Sequence, residues 1–376
     1  MMKGMMNAVV LEGKEKLVYK KLPIPEIGPE DLLVKISYAS VCGSDLPIYK
    51  DLHYLSKLPI IPGHEFSGYA VEVGEKVKDI PLGTRFMGSN VEWCGECEKC
   101  RAGHIFECPT IINRVFGFGR DGVFAEYAVV HKARLGVSVI PLPDSINDLV
   151  GSTCEPMSVG IGNLEYGIKP QDNERIVIYG AGTVGQSFIQ AFKAMCKCEI
   201  AVVDLSDLRL ELAKKSGADY IINPADGESS YDVLTQLWGY GEFSYHDKAS
   251  KACGNATIAV ECSGNSGCVT EAMEIVTNKG KVCYAAGYGD EDVAQIRPLN
   301  FILKNVNVIC GSMGSFTRSV ELMGKGVFST EHLITHVYPL EQAQDAIRMA
   351  MDSKRSGKVC IKVDPNTPDY PYNRQD

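Results

Sequence analysis

From about Arg175 onward, short apolar runs alternate with helix-like segments, and this rhythm constrains the fold more than any other feature of the chain. RIVIYG, EIAVVD, ADYIINP, TIAVECSG, KVCYAAG and NVNVICG are nearly continuous apolar strands; TVGQSFIQAFKAM, SDLRLELAKKSG and SGCVTEAMEIVTN read as amphipathic helices between them. Strands without polar alternation are buried on both faces, and intervening helices supply the cover, so the pattern predicts a doubly wound parallel sheet of about six strands. The first 150 or so residues read differently. Gly and Pro punctuate short β runs such as LLVKISYA, GYAVEVG and FAEYAVV, which predicts a twisted, largely antiparallel β assembly. At 376 residues the chain exceeds the size of one growing core, so two domains are expected. After about Gly314 the alternation stops, and the tail PNTPDYPYNRQD reads as a poorly packed terminus. The polar stretch 239–255, GYGEFSYHDKASKACGN, reads as a surface insertion, with a substrate lid as the alternative.

The first apolar strand of the alternating region runs into Gly180-Ala181-Gly182-Thr183-Val184-Gly185 and then a helix with apolar positions Val184, Phe188, Ile189, Phe192 and Met195. Gly180 permits a tight turn, Gly182 lets backbone approach a pyrophosphate, and Gly185 lets helix and strand pack closely. The helix N-terminus, including Thr183 and Val184, offers free N–H groups to phosphate. Asp204 closes the second strand, where a carboxylate accepts hydrogen bonds from ribose hydroxyls and repels a 2′-phosphate, which favours NAD over NADP. Its plainer role would be to cap the next helix, a task Ser206 can also perform. Arg209 either covers the adenine or is a solvated helix-face arginine.

A net charge of −9 excludes a global basic field for nucleic acid or anionic lipid, and no apolar run is long enough to span a bilayer. The partner expected is a small molecule. The start MMKGMMNAVVLEGKEKL lacks the pattern of a signal peptide, which points to the cytoplasm; fourteen cysteines then read as reduced thiols and metal ligands.

Cys94, Cys97, Cys100 and Cys108 follow CxxCxxCx7C, a spacing that closes a tetrahedral zinc shell and leaves no position for substrate. An iron–sulfur cluster or free thiols are the alternatives. A catalytic zinc needs three protein ligands and an open position. Cys42 in SVCGSDLP, His64 and Glu65 in PGHEFSG, and Glu155 in CEPMSVG are candidates, although each taken singly also reads as a core or helix-start residue.

Taken in order, CGSD, GHEFSG, the four-cysteine stretch, DGVFAEY, EPMSVG, GAGTVG and Asp204 resemble the zinc-dependent medium-chain dehydrogenase/reductase superfamily, in its sorbitol, threonine and polyol dehydrogenase branch. The resemblance implies an α/β protein with a GroES-like β-rich catalytic domain over residues 1–154 and 316–376 and a Rossmann NAD-binding domain over 155–315, with the active cleft between them. It implies Cys42, His64 and Glu155 as ligands of a catalytic zinc, with Glu65 as a fourth or exchangeable ligand. Some relatives use a cysteine for the third ligand. Cys154 stands next to Glu155, but neighbours at a helix start point about 100° apart, and the EPMSVG segment favours Glu155. Ser44 matches the hydroxyl that takes the alcohol proton, or else is a turn serine. Ala286, Gly287 and Ser312 would line the nicotinamide pocket. One position departs from many relatives: Pro47 stands where a histidine relays the proton to solvent, and Tyr49 and His53 are its neighbours in sequence. Proline at this position, with CGSDLP and GHEFSGY, is similar to the galactitol-1-phosphate dehydrogenases.

The implied function is NAD-dependent oxidation of a secondary alcohol in a polyol, sugar or sugar phosphate, with zinc and NAD(H) as cofactors. A threonine-type hydroxy-amino acid dehydrogenase, a zinc-independent quinone or enone reductase, and a non-catalytic NAD-sensing protein are the competing readings. A homotetramer or dimer is expected by analogy, with NVNVICG as a strand edge for pairing.

Overall fold

The computed structural model describes residues 2–50, 57–241, 244–245, 248–249, 253–289, 291–311 and 314–375. Contacts divide the chain into two compact units: Met1–Glu155, Phe316–Asp352 and Lys358–Asp376 form the first, and Pro156–Ser315 with Ser353–Gly357 the second.

The chain opens with an antiparallel hairpin of β1 (Met5–Gly13) and β2 (Lys16–Pro23). Next come β3 (Leu32–Ser40), α1 (Asp45–Tyr49), β4 (Glu65–Val73), β5 (Arg85–Gly88), α2 (Glu98–Arg101), β6 (Tyr127–Val130), β7 (Val139–Pro141) and α3 (Asp148–Gly151). β3 is the spine of the first unit. It pairs antiparallel with β4 and β6, and its residues are buried on both faces, which explains its near-continuous apolar run LLVKISYA.

α4 (Cys154–Asn163) contains the division between the units, which falls after Glu155. β8 (Glu174–Tyr179), α5 (Thr183–Met195), β9 (Cys198–Val203), α6 (Asp207–Lys215), β10 (Tyr220–Ile222) and α7 (Ser230–Trp238) follow. After two-residue strands β11 (Ser244–Tyr245) and β12 (Lys248–Ala249) come β13 (Ala256–Glu261), α8 (Ser266–Ile275), β14 (Val276–Tyr284), α9 (Pro298–Lys304) and β15 (Asn307–Cys310). Six strands make one parallel sheet in the order β10-β9-β8-β13-β14-β15, the doubly wound arrangement the alternation predicts. Strand order reverses between β8 and β13, and this switch point marks the crevice where such sheets take ligands. Of the apolar positions on α5, Phe188, Ile189 and Phe192 are fully buried, whereas Met195, at the helix end, is exposed.

The stretch 239–255 leaves and rejoins this unit at one place: Tyr240 bridges Gly254, and the Gly241 N–H donates to Gly254 O at 3.2 Å. Residues 242–243, 246–247 and 250–252 of this proposed insertion or lid lie outside the described residues.

The chain then returns to the first unit with α10 (Phe316–Gly324), β16 (Ile334–Pro339), α11 (Ala343–Met351) and β17 (Lys358–Lys362). β17 pairs with β3, which completes a sheet of order β16-β17-β3-β4-β5-β7. One expectation is corrected here. The C-terminal tail is not loosely attached: Tyr370 and Tyr372 pack on a buried cluster of Tyr38, Leu149, Ile334 and Cys360. Its prolines and polar residues suppress regular structure, but two aromatic side chains carry enough apolar area to dock it.

Candidate active site

The residues proposed from sequence as catalytic ligands gather around the end of β3 and the start of β4. Beyond β3, the Val41 N–H donates to Val359 O at 2.9 Å, which holds the turn leading to Cys42 against β17. Asp45 opens α1 and is 1% exposed; its Oδ2 accepts the Cys42 backbone N–H at 2.9 Å, and its Oδ1 faces His64 Nδ1 at 3.5 Å. Gly63, at φ +90°, sets up His64, and a Cβ there would come within 2.4 Å of the Phe124 ring, so only glycine fits. The Phe118 ring covers the imidazole with centroids 5.4 Å apart. Glu65 is wholly buried at the start of β4, where its Oε2 accepts from Ser40 Oγ and Lys358 Nζ. Lys358, also buried, donates to Val41 O at 2.9 Å.

Donor atoms of Cys42, His64 and Glu65 all lie within 4.8 Å of one another. Glu155 is outside that set, yet its buried carboxyl faces the same charges: burial and then the Glu65 carboxylate push it up to about 7. Its neighbour Cys154 is directed elsewhere. The Cys154 thiol approaches Val150 O at 3.8 Å, and burial alone pushes it up to about 12. Burial opposes charging of His64, but Cys42 and Asp45 beside it prevail and raise the imidazole well above its ordinary range. Burial likewise opposes the Lys358 charge, and the Glu65 carboxylate outweighs it.

This donor set fits a zinc ion. Glu65 Oε1, His64 Nδ1 and Asp45 Oδ1 are buried without a hydrogen-bond partner among the described residues. A thiol, an imidazole and three buried carboxyl groups converge there, and buried polar atoms without a partner are those a bound cation would satisfy. Mixed sulfur, nitrogen and oxygen donors are those zinc accepts.

Ser44 precedes α1 and makes no side-chain cap bond to it. Pro47 lies within α1, Tyr49 is buried at its end, and His53 falls outside the described residues. Asp45, Ser40 and Lys358 were not foreseen. The acid of CGSD was visible as a residue at a helix start; Ser40 and Lys358 carried no local signal, since their partner Glu65 is 25 and 293 residues away.

Cys94, Cys97, Cys100 and Cys108 form a second group with sulfurs within 4.8 Å of one another. Cys94 Sγ accepts N–H bonds from Glu96 and Cys97, both at 3.4 Å, and Cys97 Sγ accepts from Cys100 N at 3.3 Å. These amide bonds, that from Cys97 foremost, pull the Cys94 thiol down to about 6, toward the thiolate that metals require.

In the second unit, Gly180 takes φ +96°, and a Cβ on Gly185 would lie 2.0 Å from Gly180 O, so turn and helix meet only without side chains. Gly182 is different: its nearest neighbour would be Arg209 Nη1 at 4.0 Å. Asp204 Oδ2 accepts the Ala181 N–H at 2.6 Å and Oδ1 accepts the Ser206 N–H at 2.8 Å, while Ser206 itself caps α6. Arg209 is held alongside, Nε donating to Ser356 O at 3.0 Å. Thr183 and Val184 form the first turn of α5. Ala286 and Gly287 follow β14 next to Gly264, whose Cβ would be 3.0 Å from Gly287 O. Ser312 lies outside the described residues. Buried Glu261, also unforeseen, ties these loops together by accepting from Ser263 N at 2.7 Å, Gly264 N at 3.1 Å and the Tyr288 hydroxyl.

Comparison with known proteins places the chain in a lineage. Residues 28–144 match the alcohol dehydrogenase GroES-like domain, and residues 183–325 match the zinc-binding dehydrogenase family. The chain is 31% identical over 366 residues to the sorbitol dehydrogenase of Bacillus subtilis, covering 95% of this chain and 96% of that one. Among solved structures, the rspB alcohol dehydrogenase of Escherichia coli CFT073, complexed with NADH, superposes with TM-score 0.83 at 26% identity, covering 96% of this chain and 99% of that one. Galactitol-1-phosphate dehydrogenase of Escherichia coli superposes with TM-score 0.81 at 26% identity, covering 95% of this chain and all of that one, 100%. Both domain families in order, and one relative alike from end to end, establish that the chain belongs to the zinc-binding alcohol dehydrogenases of the medium-chain type, oxidoreductases that use zinc and a nicotinamide dinucleotide.

Proposed function

We propose that this enzyme oxidises a secondary alcohol of a polyol, sugar or sugar phosphate, reversibly, with NAD+ as acceptor. The observation that carries this reading is the cluster of half-buried Cys42 with buried His64 and Glu65, the last two with orphaned polar atoms, in a chain whose relatives include sorbitol and galactitol-1-phosphate dehydrogenases. In this reading residues 1–154 with 316–376 make the catalytic domain and 155–315 the NAD-binding domain. Cys42, His64 and Glu155 would hold the catalytic zinc, with Glu65 exchangeable, and Cys94, Cys97, Cys100 and Cys108 a structural one.

When bound, zinc supplies the Lewis acidity that brings an alcohol's pKa toward neutrality, and NAD+ supplies the hydride acceptor. The chain's own residues do the rest. Ser44 would accept a hydrogen bond from the substrate hydroxyl and, as it takes that proton, pass its own to water. Asp45 orients the ligands, one oxygen on the Cys42 amide and the other toward His64. Ser40 and Lys358 restrain one oxygen of Glu65 and leave the other available. Phe118 keeps water from one side of the imidazole. Gly180, Gly182, Thr183, Val184 and Gly185 would cradle the pyrophosphate; the open space at Gly182 supports close approach of a ligand there. Asp204 selects NAD, Arg209 flanks the adenosine, and Ala286, Gly287 and Ser312 border the nicotinamide. No helix among the described residues is long and apolar enough to cross a membrane. We assign the enzyme to the cytoplasm as a homotetramer.

The test is NAD+ reduction over free and phosphorylated polyols, sugar acids and hydroxy-amino acids, together with metal analysis. Turnover of a polyol or its phosphate and two zincs per chain, one of them lost in Cys42→Ala, are the expected results. Turnover confined to L-threonine, or a single zinc untouched by Cys42→Ala, refutes the reading.

A further inference from the structure

The C-terminal tail touches the two segments that lead to the outermost members of the proposed zinc set. Tyr38, in β3, lies four residues before Cys42, and its hydroxyl donates to Pro368 O at 2.9 Å. The rings of Tyr38 and Tyr370 lie 6.1 Å apart. Tyr370 also packs on the buried cluster that contains Leu149, the second residue of α3, six residues before Glu155. Asp148, the first residue of α3, is fixed by Arg85 Nη1 at 3.2 Å and by the Tyr69 hydroxyl at 3.1 Å. Beyond Tyr370 the tail is pinned to β16 and the residues before it: Asn373 Nδ2 donates to His332 O at 2.9 Å and Gln375 N to Thr335 O at 3.2 Å. Before it, Lys362 Nζ meets Asp369 Oδ1 at 2.7 Å. β3 and α3 are also joined close to the site, where Ser40 Oγ reaches Ser152 O at 3.0 Å.

We propose that residues 364–375 are a strap that sets the spacing of β3 and α3, with Tyr370 as a positioning residue for Cys42 and Glu155. The proposal rests on those two side chains being zinc ligands. Tyr370 touches no reacting atom. Its ring packs on the buried cluster that Tyr38 shares with Leu149 of α3, and without it those two segments lose their common support on the face covered by the tail. A ligand pair displaced by a fraction of an ångström binds zinc less tightly, so the strap acts on metal retention before it acts on catalysis.

The experiment follows zinc release to a chromogenic chelator from the full-length enzyme, Tyr370→Ala, Tyr370→Phe and a chain ending at Asp364. Tyr370→Ala and the shortened chain should lose one zinc at least about tenfold faster than wild type, the range of second-layer effects on metal affinity. The other zinc, held by the four cysteines, should leave at its wild-type rate, and Tyr370→Phe, which keeps the ring, should restore most of the retention. Unchanged release of both zincs in Tyr370→Ala overturns the strap, whatever happens to the melting temperature. If the shortened chain fails to fold, the Ala and Phe variants decide the matter. Cys42→Ala with both zinc phases intact would overturn the underlying site instead, a distinguishable failure.

Discussion

Lys358→Met isolates the energetics of the buried charge cluster. Lys358 and Glu65 are 3% and 0% exposed at the side chain, so neither is screened by solvent as a surface pair would be. Removing one partner of such a pair leaves an uncompensated buried charge at a cost of about 3–5 kcal/mol. The bond from Lys358 to Val41 O is lost too, adding about 1 kcal/mol. Ser40 still donates to Glu65 and offsets part of the loss. A net destabilisation of about 4 kcal/mol follows, a large share of the 5–15 kcal/mol by which domains are stable. Denaturant unfolding of Lys358→Met and of Lys358→Met/Glu65→Gln checks this, the double variant recovering much of the stability because no ion is then left alone. A single variant within about 1 kcal/mol of wild type, the value of an exposed pair, would refute the assignment of Glu65 as a buried anion dependent on Lys358.

Two further outcomes follow. Asp204→Asn keeps an acceptor for the Ala181 amide but removes the charge, so the ratio of kcat/KM for NADP to that for NAD should rise about tenfold or more, equivalent to about 1.4 kcal/mol; an unchanged ratio removes Asp204 from cofactor selection. Lys304 donates to the carbonyls of Met273 at 3.0 Å, Glu274 at 2.8 Å and Val276 at 3.2 Å, and so serves as the cap of α8, while burial lowers its pKa to about 8. A lysine that gives up its proton more readily when folded than when unfolded makes the native state gain stability as pH rises from about 8 toward the unfolded value near 10.4, a gain that Lys304→Met should lack in parallel melting curves.

Features with local causes were legible in the sequence. The six apolar strands declared a covered parallel sheet because each run is short, continuous and flanked by helix periodicity. The glycine loop was legible because φ +96° at Gly180 and the contact at Gly185 exclude side chains, and glycine is the residue that records such exclusion. The four-cysteine spacing fits a loop that folds back on itself within fifteen residues. The tail misled because its composition is that of a loose end, and nothing in PNTPDYPYNRQD discloses the apolar surface waiting for its two tyrosines.

By itself, then, the order of residues determined the division of labour: a β-rich part bearing thiols, imidazole and carboxyls, and an alternating part built for a dinucleotide. Tertiary structure alone decided who stands beside whom. That Lys358 neutralises Glu65, that Ser40 shares the same oxygen, that Asp45 faces His64, and that the tail supports Tyr38 all depend on β17 pairing with β3 and on β3 pairing with β4. Backbone propensity and spacing act over a few residues, whereas desolvation forces a buried charge to find a partner wherever the fold brings one near, here 293 residues along the chain.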